Sequence, residues 1–258
     1  MGLNSAAALA ALRLIDYSGG REIEGLLLIV PPTKAKTGAR KAGPKSGGVE
    51  SGCATRLPHF DFEREAMAKG FRCVAGVDEV GRGPLAGPVG VAAVILNPDD
   101  LPLGVNDSKA LTEAERDDLR PVILAKALSV SIAFASAEEI DAFNIRRAAL
   151  RAMARAVGAL SLRPDLVLVD GRDIPEGLLC PARAIIGGDA HSISIAAASI
   201  IAKTTRDALM RNLANEFPHY GFADHVGYAT PFHRQALAAA GPCPYHRRSF
   251  RTGEDAEC

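Results

Sequence analysis

Cysteine is scarce and is not arranged to do chemistry in concert. The five residues, Cys53, Cys73, Cys180, Cys243 and Cys258, are widely scattered, with no CxxC pair and no metal-site spacing. They read as reduced, intracellular thiols. His191, His219, His225 and His233 also lack a recognisable zinc spacing, which leaves them core or surface roles. No apolar run approaches the roughly 18 residues of a membrane span. The Ala-rich start from Ala6 to Leu12 lacks the basic leader of a secretory signal, and Ala6 stands where a myristoylation motif needs Ser or Thr. The expected location is therefore the cytoplasm, with no membrane partner. Excess charge is missing too: Lys plus Arg and Asp plus Glu both number 30, so any sign of a polyanionic partner must come from local clustering. No internal repeat is visible.

What remains is a chain of 258 residues, 48% of them apolar, enough for one domain with a substantial core and a tail. Residues 1–57 differ in texture from the rest. Between Thr33 and Val49, Lys34, Lys36, Arg40, Lys41 and Lys45 sit among Gly and Pro with no acidic residue. Such a stretch cannot bury enough apolar surface to offset its ordering entropy, so a disordered basic extension is expected, with help in holding nucleic acid as the sharper alternative. Residues 58–258 are expected to form the folded domain. A short helix is predicted over Phe62 to Lys69, then β-rich runs at Cys73 to Val77 and Val89 to Leu96. Leu111 to Lys126 reads as a helix with a capping box of Thr112 and Glu115. Leu128, Val130, Ile132 and Phe134 alternate along a strand from Leu128 to Ala135. A long helix from Ala137 to about Leu160 follows, then apolar runs at Leu166 to Val169 and Ala182 to Ile186, and a helix from about Ala190 to Asn212. Three successive strands, then strands separated by helices, predict an α/β fold: a mixed central sheet flanked by helices, with a helical C-terminal region.

The richest segment runs from Gly76 to Pro88 and contains Asp78-Glu79-Val80-Gly81-Arg82-Gly83. Neighbouring side chains on a regular strand face opposite ways, so Asp78 and Glu79 can share a metal only if the strand ends there, and Gly81 and Gly83 supply the irregularity. Glycine also lets backbone approach a ligand closely. A dinucleotide-binding loop is rejected, because Gly81, Gly83 and Gly87 have the wrong spacing and a strand follows. Each carboxylate keeps a plain structural alternative: a turn at Asp78 and Glu79, an Asp-Gly turn at Asp170, a helix N-cap at Asp189. Their convergence at the ends of predicted strands favours a shared site, where clustered carboxylates repel unless a cation neutralises them. Hard oxygen ligands suit magnesium or manganese.

From about Phe60 to Phe250 the chain resembles the ribonuclease HII family, the type 2 ribonucleases H. The resemblance rests on Gly76 to Pro88, Asn106-Asp107-Ser108-Lys109, Val169-Asp170-Gly171, Gly188-Asp189, Ser194 to Lys203, Arg206-Asp207, Gly227-Tyr228-Ala229-Thr230 and His246 to Phe250. It implies the ribonuclease H fold with Asp78, Glu79, Asp170 and Asp189 as catalytic, metal-binding carboxylates. It further implies that Gly81-Arg82-Gly83 reads the ribose 2′-hydroxyl and adjoining phosphate, and that Tyr228 packs on the deoxyribose at an RNA–DNA junction. The implied activity is hydrolysis of the RNA strand of RNA–DNA hybrids and cutting 5′ of ribonucleotides in duplex DNA, leaving 5′-phosphate and 3′-hydroxyl ends. Its roles would be ribonucleotide removal from DNA and RNA primer removal, by a monomer.

Two ions about 3.5–4 Å apart suit such an in-line displacement, and the 2′-hydroxyl is the handle that separates RNA from DNA. Lys109, Lys203, Arg206, His246, Arg247 and Arg248 are candidates for a phosphate-binding face, each with a structural alternative. Gly187 and Val226 depart from the family pattern, which usually has lysine at both places, so two phosphate contacts are in doubt. The rival type III enzyme has a structured N-terminal substrate-binding domain and a final catalytic glutamate, against Asp189 and a low-complexity tail here. A catalytically silent hybrid-binding module is the rival from another class, and the intact carboxylate set argues against it.

Overall fold

The computed structural model describes residues 57–250. The expected N-terminal extension, with Cys53 and Cys258, lies outside the described residues. The elements run in the order α1 (Asp61–Ala68), β1 (Val74–Val80), β2 (Val89–Leu96), α2 (Glu113–Lys126), β3 (Ala127–Ala135), α3 (Ala137–Phe143), α4 (Ile145–Gly158), β4 (Leu166–Asp170), β5 (Ala182–Ile185), α5 (Ile193–Glu216), α6 (Phe222–His225) and α7 (Pro231–Ala240). The five strands form one sheet in the order β3-β2-β1-β4-β5. β1, β2 and β3 pair antiparallel as a meander, whereas β4 joins β1 and β5 joins β4 in parallel. The mixed sheet expected from the sequence is therefore present.

Both faces of the sheet are covered, which explains why β2 is apolar along its whole length rather than alternating. Val89, Val91, Ala93 and Ile95 pack with Ala75, Val77 and the α4 residues Ala148, Ala152, Met153 and Ala156. Ala92, Val94 and Leu96 pack on the other side with Ile123 of α2 and with Ala197, Ile200 and Ile201 of α5. Most of the β3 alternation holds: Val130, Ile132 and Phe134 join the α5 side, and Leu128 packs on the α4 side beyond a register shift at Ile95 and Leu96. The capping box at Thr112 forms as expected, with Thr112 accepting from the Glu115 amide and Glu115 accepting from the Thr112 amide.

Three boundaries differ from expectation in ways that matter for the site. The helix predicted over Ala137 to Leu160 is two helices, broken at Asn144, whose φ of 66° ends α3 while its side chain caps α4. Asn tolerates that left-handed φ better than most residues, and its side chain then satisfies an open amide of the next helix. The helix predicted from Ala190 starts instead at Ile193 with Ser192 as N-cap, so Asp189 does not cap α5 but sits in a single 3-10 turn before it. Finally, β1 does not end before the acidic pair. It runs to Val80, with Asp78 opposite Ala92 and Glu79 opposite Val91.

Gly76 sets how closely α5 lies on β1. A Cβ there would fall 2.2 Å from the carbonyl carbon of Ser194 and 2.4 Å from the Ile195 amide nitrogen, both backbone atoms that cannot swing aside. Gly76→Ala is expected to cost about 3 kcal/mol by forcing strand and helix apart. A urea melt with an unchanged midpoint would contradict it.

Candidate active site

β1 and β4 are parallel neighbours paired from Val74 with Leu166 to Val77 with Val169, so Asp78 and Asp170 leave the same end of the sheet side by side. The turn from Gly187 to Ala190 delivers Asp189 to the same place. Gly187 takes a left-handed φ of 64°, and the Gly188 amide donates to Asp170 Oδ1 at 2.6 Å. The result is a cluster in which one carboxylate oxygen from each of Asp78, Asp170 and Asp189 lies within 4.8 Å of the others. Asp78 and Asp189 are buried and Asp170 is half-buried.

Glu79 stands beside this cluster rather than within it. It is nonetheless close enough for its charge to act on Asp78 and for the charge of Asp170 to act on it. Its Oε1 accepts from Arg82 Nη1 at 3.1 Å, and its Oε2 is buried without a hydrogen-bond partner. Burial, followed by the charges of Glu79 and Asp170, holds the Asp78 carboxyl well above the usual range. Burial also raises Glu79, against the pull of Arg82. Lys109 reaches the rim, its Nζ 3.3 Å from Asp189 Oδ2. Burial disfavours its charge, but Asp189, Asp107 and Asp78 outweigh that and raise it. Crowded buried carboxylates with an unpartnered oxygen are a donor set that fits a hard divalent cation, since only a cation relieves both the repulsion and the missing bond.

Two serines complete the surroundings of Asp78. Ser199, on α5, lies beside the Asp78 carboxyl and favours its charged form against the burial, and its Oγ lies 2.6 Å from that of Ser108. Neither serine stands out in the sequence as a site residue. Their signal lay only in the stretches that carry the family resemblance.

Beyond Val80 the chain turns through Gly81, Arg82 and Gly83; one buried arginine holds that turn and a second ties down the segments behind it. Arg247, 2% exposed, donates from Nη2 to Gly81 O at 2.6 Å, from Nη1 to Arg82 O at 2.9 Å and from Nε to Gly87 O at 2.9 Å. Arg206, fully buried, donates to the carbonyls of Pro88, Val226 and Ala86. This corrects the reading of Arg206, His246 and Arg247 as phosphate contacts: all three are buried, and both guanidinium groups are spent on backbone carbonyls. Lys203 is also committed, its Nζ pairing with Asp207 at 2.7 Å on α5. Arg248 gives its amide to Asp141.

Arg247 nevertheless acts on the loop's outer face. All described peptide bonds are trans, so a carbonyl turned inward places the N–H of the same peptide plane outward. With the Gly81 and Arg82 carbonyls held by Arg247, the amides of Arg82 and Gly83 point away from the core. Tyr228 stands over this loop. The residue is 44% exposed, and a Cβ added at Gly83 would lie 3.8 Å from its Cε1. The Gly227 carbonyl accepts from the Leu85 amide at 2.9 Å, tying the two segments together. Val226 holds a left-handed φ of 43° just before them.

Buried carboxylates at the end of a mixed sheet, flanked by an amide-presenting loop, define a metal-dependent hydrolase of the ribonuclease H-like class. The ribonuclease HII family profile matches residues 75–253. The ribonuclease HII of Sinorhizobium medicae is 57% identical over 195 residues, covering 76% of this chain and 90% of that one. Among solved structures, the ribonuclease H2 of Pyrococcus horikoshii superposes with a TM-score of 0.62 at 26% identity, over 70% of this chain and 95% of that one. The ribonuclease HII in a PCNA complex from Archaeoglobus fulgidus gives 0.60 at 30%, over 70% and 96%. The chain belongs to the ribonuclease HII family and is a metal-dependent endonuclease of the ribonuclease H type.

Proposed function

We propose that this ribonuclease H cuts the RNA strand of RNA–DNA hybrids and also cuts 5′ of ribonucleotides embedded in duplex DNA, leaving 5′-phosphate and 3′-hydroxyl ends. One observation carries the reading: the Arg82–Glu79 ion pair links the buried carboxylates directly to a loop that presents backbone amides beside an exposed tyrosine. Asp78, Glu79, Asp170 and Asp189 are the residues assigned to hold magnesium or manganese. Two such ions, when bound, supply an activated water and stabilise the departing 3′-oxygen.

The chain's own residues do the rest. The Arg82 and Gly83 amides are donors to the ribose 2′-hydroxyl and the adjoining phosphate. These contacts read sugar and backbone rather than base edges, so cutting is independent of sequence. Tyr228 packs on the next sugar, and Lys109 at the rim meets a phosphate. Arg82 steadies Glu79 from the loop side. The working unit is a monomer, with ribonucleotide removal and RNA primer removal as its roles in the cytoplasm.

Duplexes containing no, one or many ribonucleotides, incubated with magnesium or manganese and mapped for end groups, test this. Cutting is expected on the 5′ side of a lone ribonucleotide and throughout a hybrid. Comparable cleavage of uniform DNA, or 3′-phosphate products, would overturn it. Residues 58–258 are proposed as the complete catalytic unit. Deleting residues 1–57 is therefore expected to leave kcat unchanged and to raise KM at moderate salt, as loss of basic residues near phosphates does. A truncated chain unable to fold contradicts that assignment.

A further inference from the structure

Behind Tyr228 lies a buried set of histidines with no part in the chemistry above. His233, on α7, is fully buried, His246 is 5% exposed and Cys243 is 7% exposed. The Cys243 amide donates to His246 Nδ1 at 3.0 Å, and the Cys243 Sγ, kept as a thiol by burial and so also able to donate, lies 3.1 Å from the same nitrogen. The two imidazoles meet Nε2 to Nε2 at 3.0 Å. His233 Nδ1 then lies 2.8 Å from the carbonyl oxygen of Tyr228.

The two ends of this chain fix every proton between them. A backbone N–H can only donate, so His246 Nδ1 is bare and its ring proton is on Nε2. That proton points at His233 Nε2, which must accept. The His233 proton is therefore on Nδ1 and is donated to the Tyr228 carbonyl, which can only accept. A second proton on His246 would face the Cys243 amide, and one on His233 would face the His246 Nε2–H. Both rings are accordingly neutral. Burial, then the neighbouring His233, pushes His246 down to about 4, and burial lowers His233 as well. His225 stacks on His233 at 4.5 Å and is fixed in its own turn, taking the Gly227 amide on Nδ1 and donating from Nε2 to Tyr220 O. Tyr220 packs edge-on against His246.

We propose that His233 and His246 are positioning residues: a one-way hydrogen-bond relay from the Cys243 amide to the Tyr228 carbonyl that sets the Tyr228 ring over Gly83 and so tunes discrimination of RNA–DNA junctions. The link to discrimination rests on the reading of Tyr228 given above. The relay also joins the segment that carries Arg247 to the segment that carries Tyr228, so the two halves of the substrate-facing loop share one support.

Two measurements separate the relay from the reading it serves. Histidine ¹⁵N spectra of the metal-free chain are expected to show His233 as the Nδ1–H tautomer and His246 as the Nε2–H tautomer. The opposite tautomers, or charged rings at neutral pH, would overturn the relay whatever Tyr228 does. Cleavage of a single-ribonucleotide duplex relative to a uniform hybrid is the second readout. Tyr228→Ala is expected to lower that ratio at least tenfold, His233→Leu to lower it about five- to tenfold, and the double variant to fall no further than Tyr228→Ala. His233→Asn places an amide donor where Nδ1 stood and is expected to restore the ratio to within threefold of the parent. His233→Gln, whose donor sits at the Nε2 position instead, is not.

If Tyr228→Ala lowers the ratio while His233→Leu, folded by its melting curve, does not, the relay is rejected. Losses in His233→Leu that simply add to those of Tyr228→Ala reject it as well. If Tyr228→Ala leaves the ratio unchanged, the junction reading falls, and positioning is decided by whether His233→Leu shifts the Tyr228 ring resonances and His233→Asn restores them. Should His233→Leu not fold, the Asn and Gln pair and the tautomers decide the matter.

Discussion

Asp78→Asn, freed of metal, is expected to melt higher than the parent chain while cutting at least about 10³-fold more slowly, a loss of ~4 kcal/mol of transition-state stabilisation. The two effects have one cause. Asp78 is buried against Asp170 and Asp189 with Glu79 adjacent, and its carboxyl is held well above its ordinary range. A group whose folded pKa exceeds its unfolded one takes up a proton on folding, so for this carboxylate stability is lost as pH rises through the unfolded value towards the folded one. At neutral pH the metal-free parent carries that penalty. Asparagine keeps the shape and can still accept from the Glu79 amide, which now bonds Asp78 Oδ1 at 2.7 Å, without the charge. A gain on the order of 1 kcal/mol corresponds to about 2–4 °C in a domain of this size. Divalent metal should then raise the melting point of the parent and not of the variant. Asp189→Asn belongs to the same class, because Ser192 caps α5 and leaves Asp189 no capping role to explain a loss. Turnover near that of the parent in either variant would remove its residue from the metal site.

The sequence disclosed the carboxylates but not what holds them. Asp170 was legible because it ends a short apolar run before Gly171, and the Thr112–Glu115 capping box and the continuous apolar β2 were legible because each is a local pattern with a local cause. Asp189 was found for a mixed reason: its place before a helix suggested a cap, yet Ser192, three residues on, takes that role and frees Asp189 for the cluster. The break at Asn144 escaped because the apolar spacing continues across it, and periodicity does not register a single left-handed residue. Arg206, His246 and Arg247 were misread for a deeper reason. A basic residue in a sequence looks solvated, and only the tertiary structure shows that six backbone carbonyls converge on the two guanidinium groups. Long-range partners such as Ser108 with Ser199, 91 positions apart, have no local signature at all. The two places lacking the family's lysines also differ physically. Gly187 has open space around it, whereas Val226 holds a left-handed backbone with its carbonyl tied to Arg206.

Gly81 and Gly83 look equivalent in the sequence, and opposite failures are expected when each is replaced. Gly81 has a φ of 85°, and a Cβ there would fall 2.1 Å from Arg206 Nε, inside the buried support of the loop. Gly81→Ala is therefore expected to damage folding, by about 3 kcal/mol from backbone strain and overpacking together. Gly83 carries no such constraint. Its φ lies outside the left-handed region, and the nearest atom to an added Cβ is Tyr228 Cε1 at 3.8 Å, an ordinary contact. Gly83→Val should thus fold with a melting point within a few degrees of the parent. It should still lose activity heavily, because the branched side chain occupies the outer face where the Arg82 and Gly83 amides are proposed to meet the ribose. A loss of about 10²–10³-fold in kcat/KM is expected on hybrid and single-ribonucleotide duplex alike, since the obstructed contact is to the ribose itself and not to the sugar that follows. That equality separates it from Tyr228→Ala, which should spare the hybrid. Calorimetry on the two glycine variants beside kinetics on both substrates checks it. A Gly83→Val protein that is folded and fully active would remove the glycine loop from substrate recognition, and one that loses only the single-ribonucleotide substrate would move the loop's contact to the neighbouring sugar.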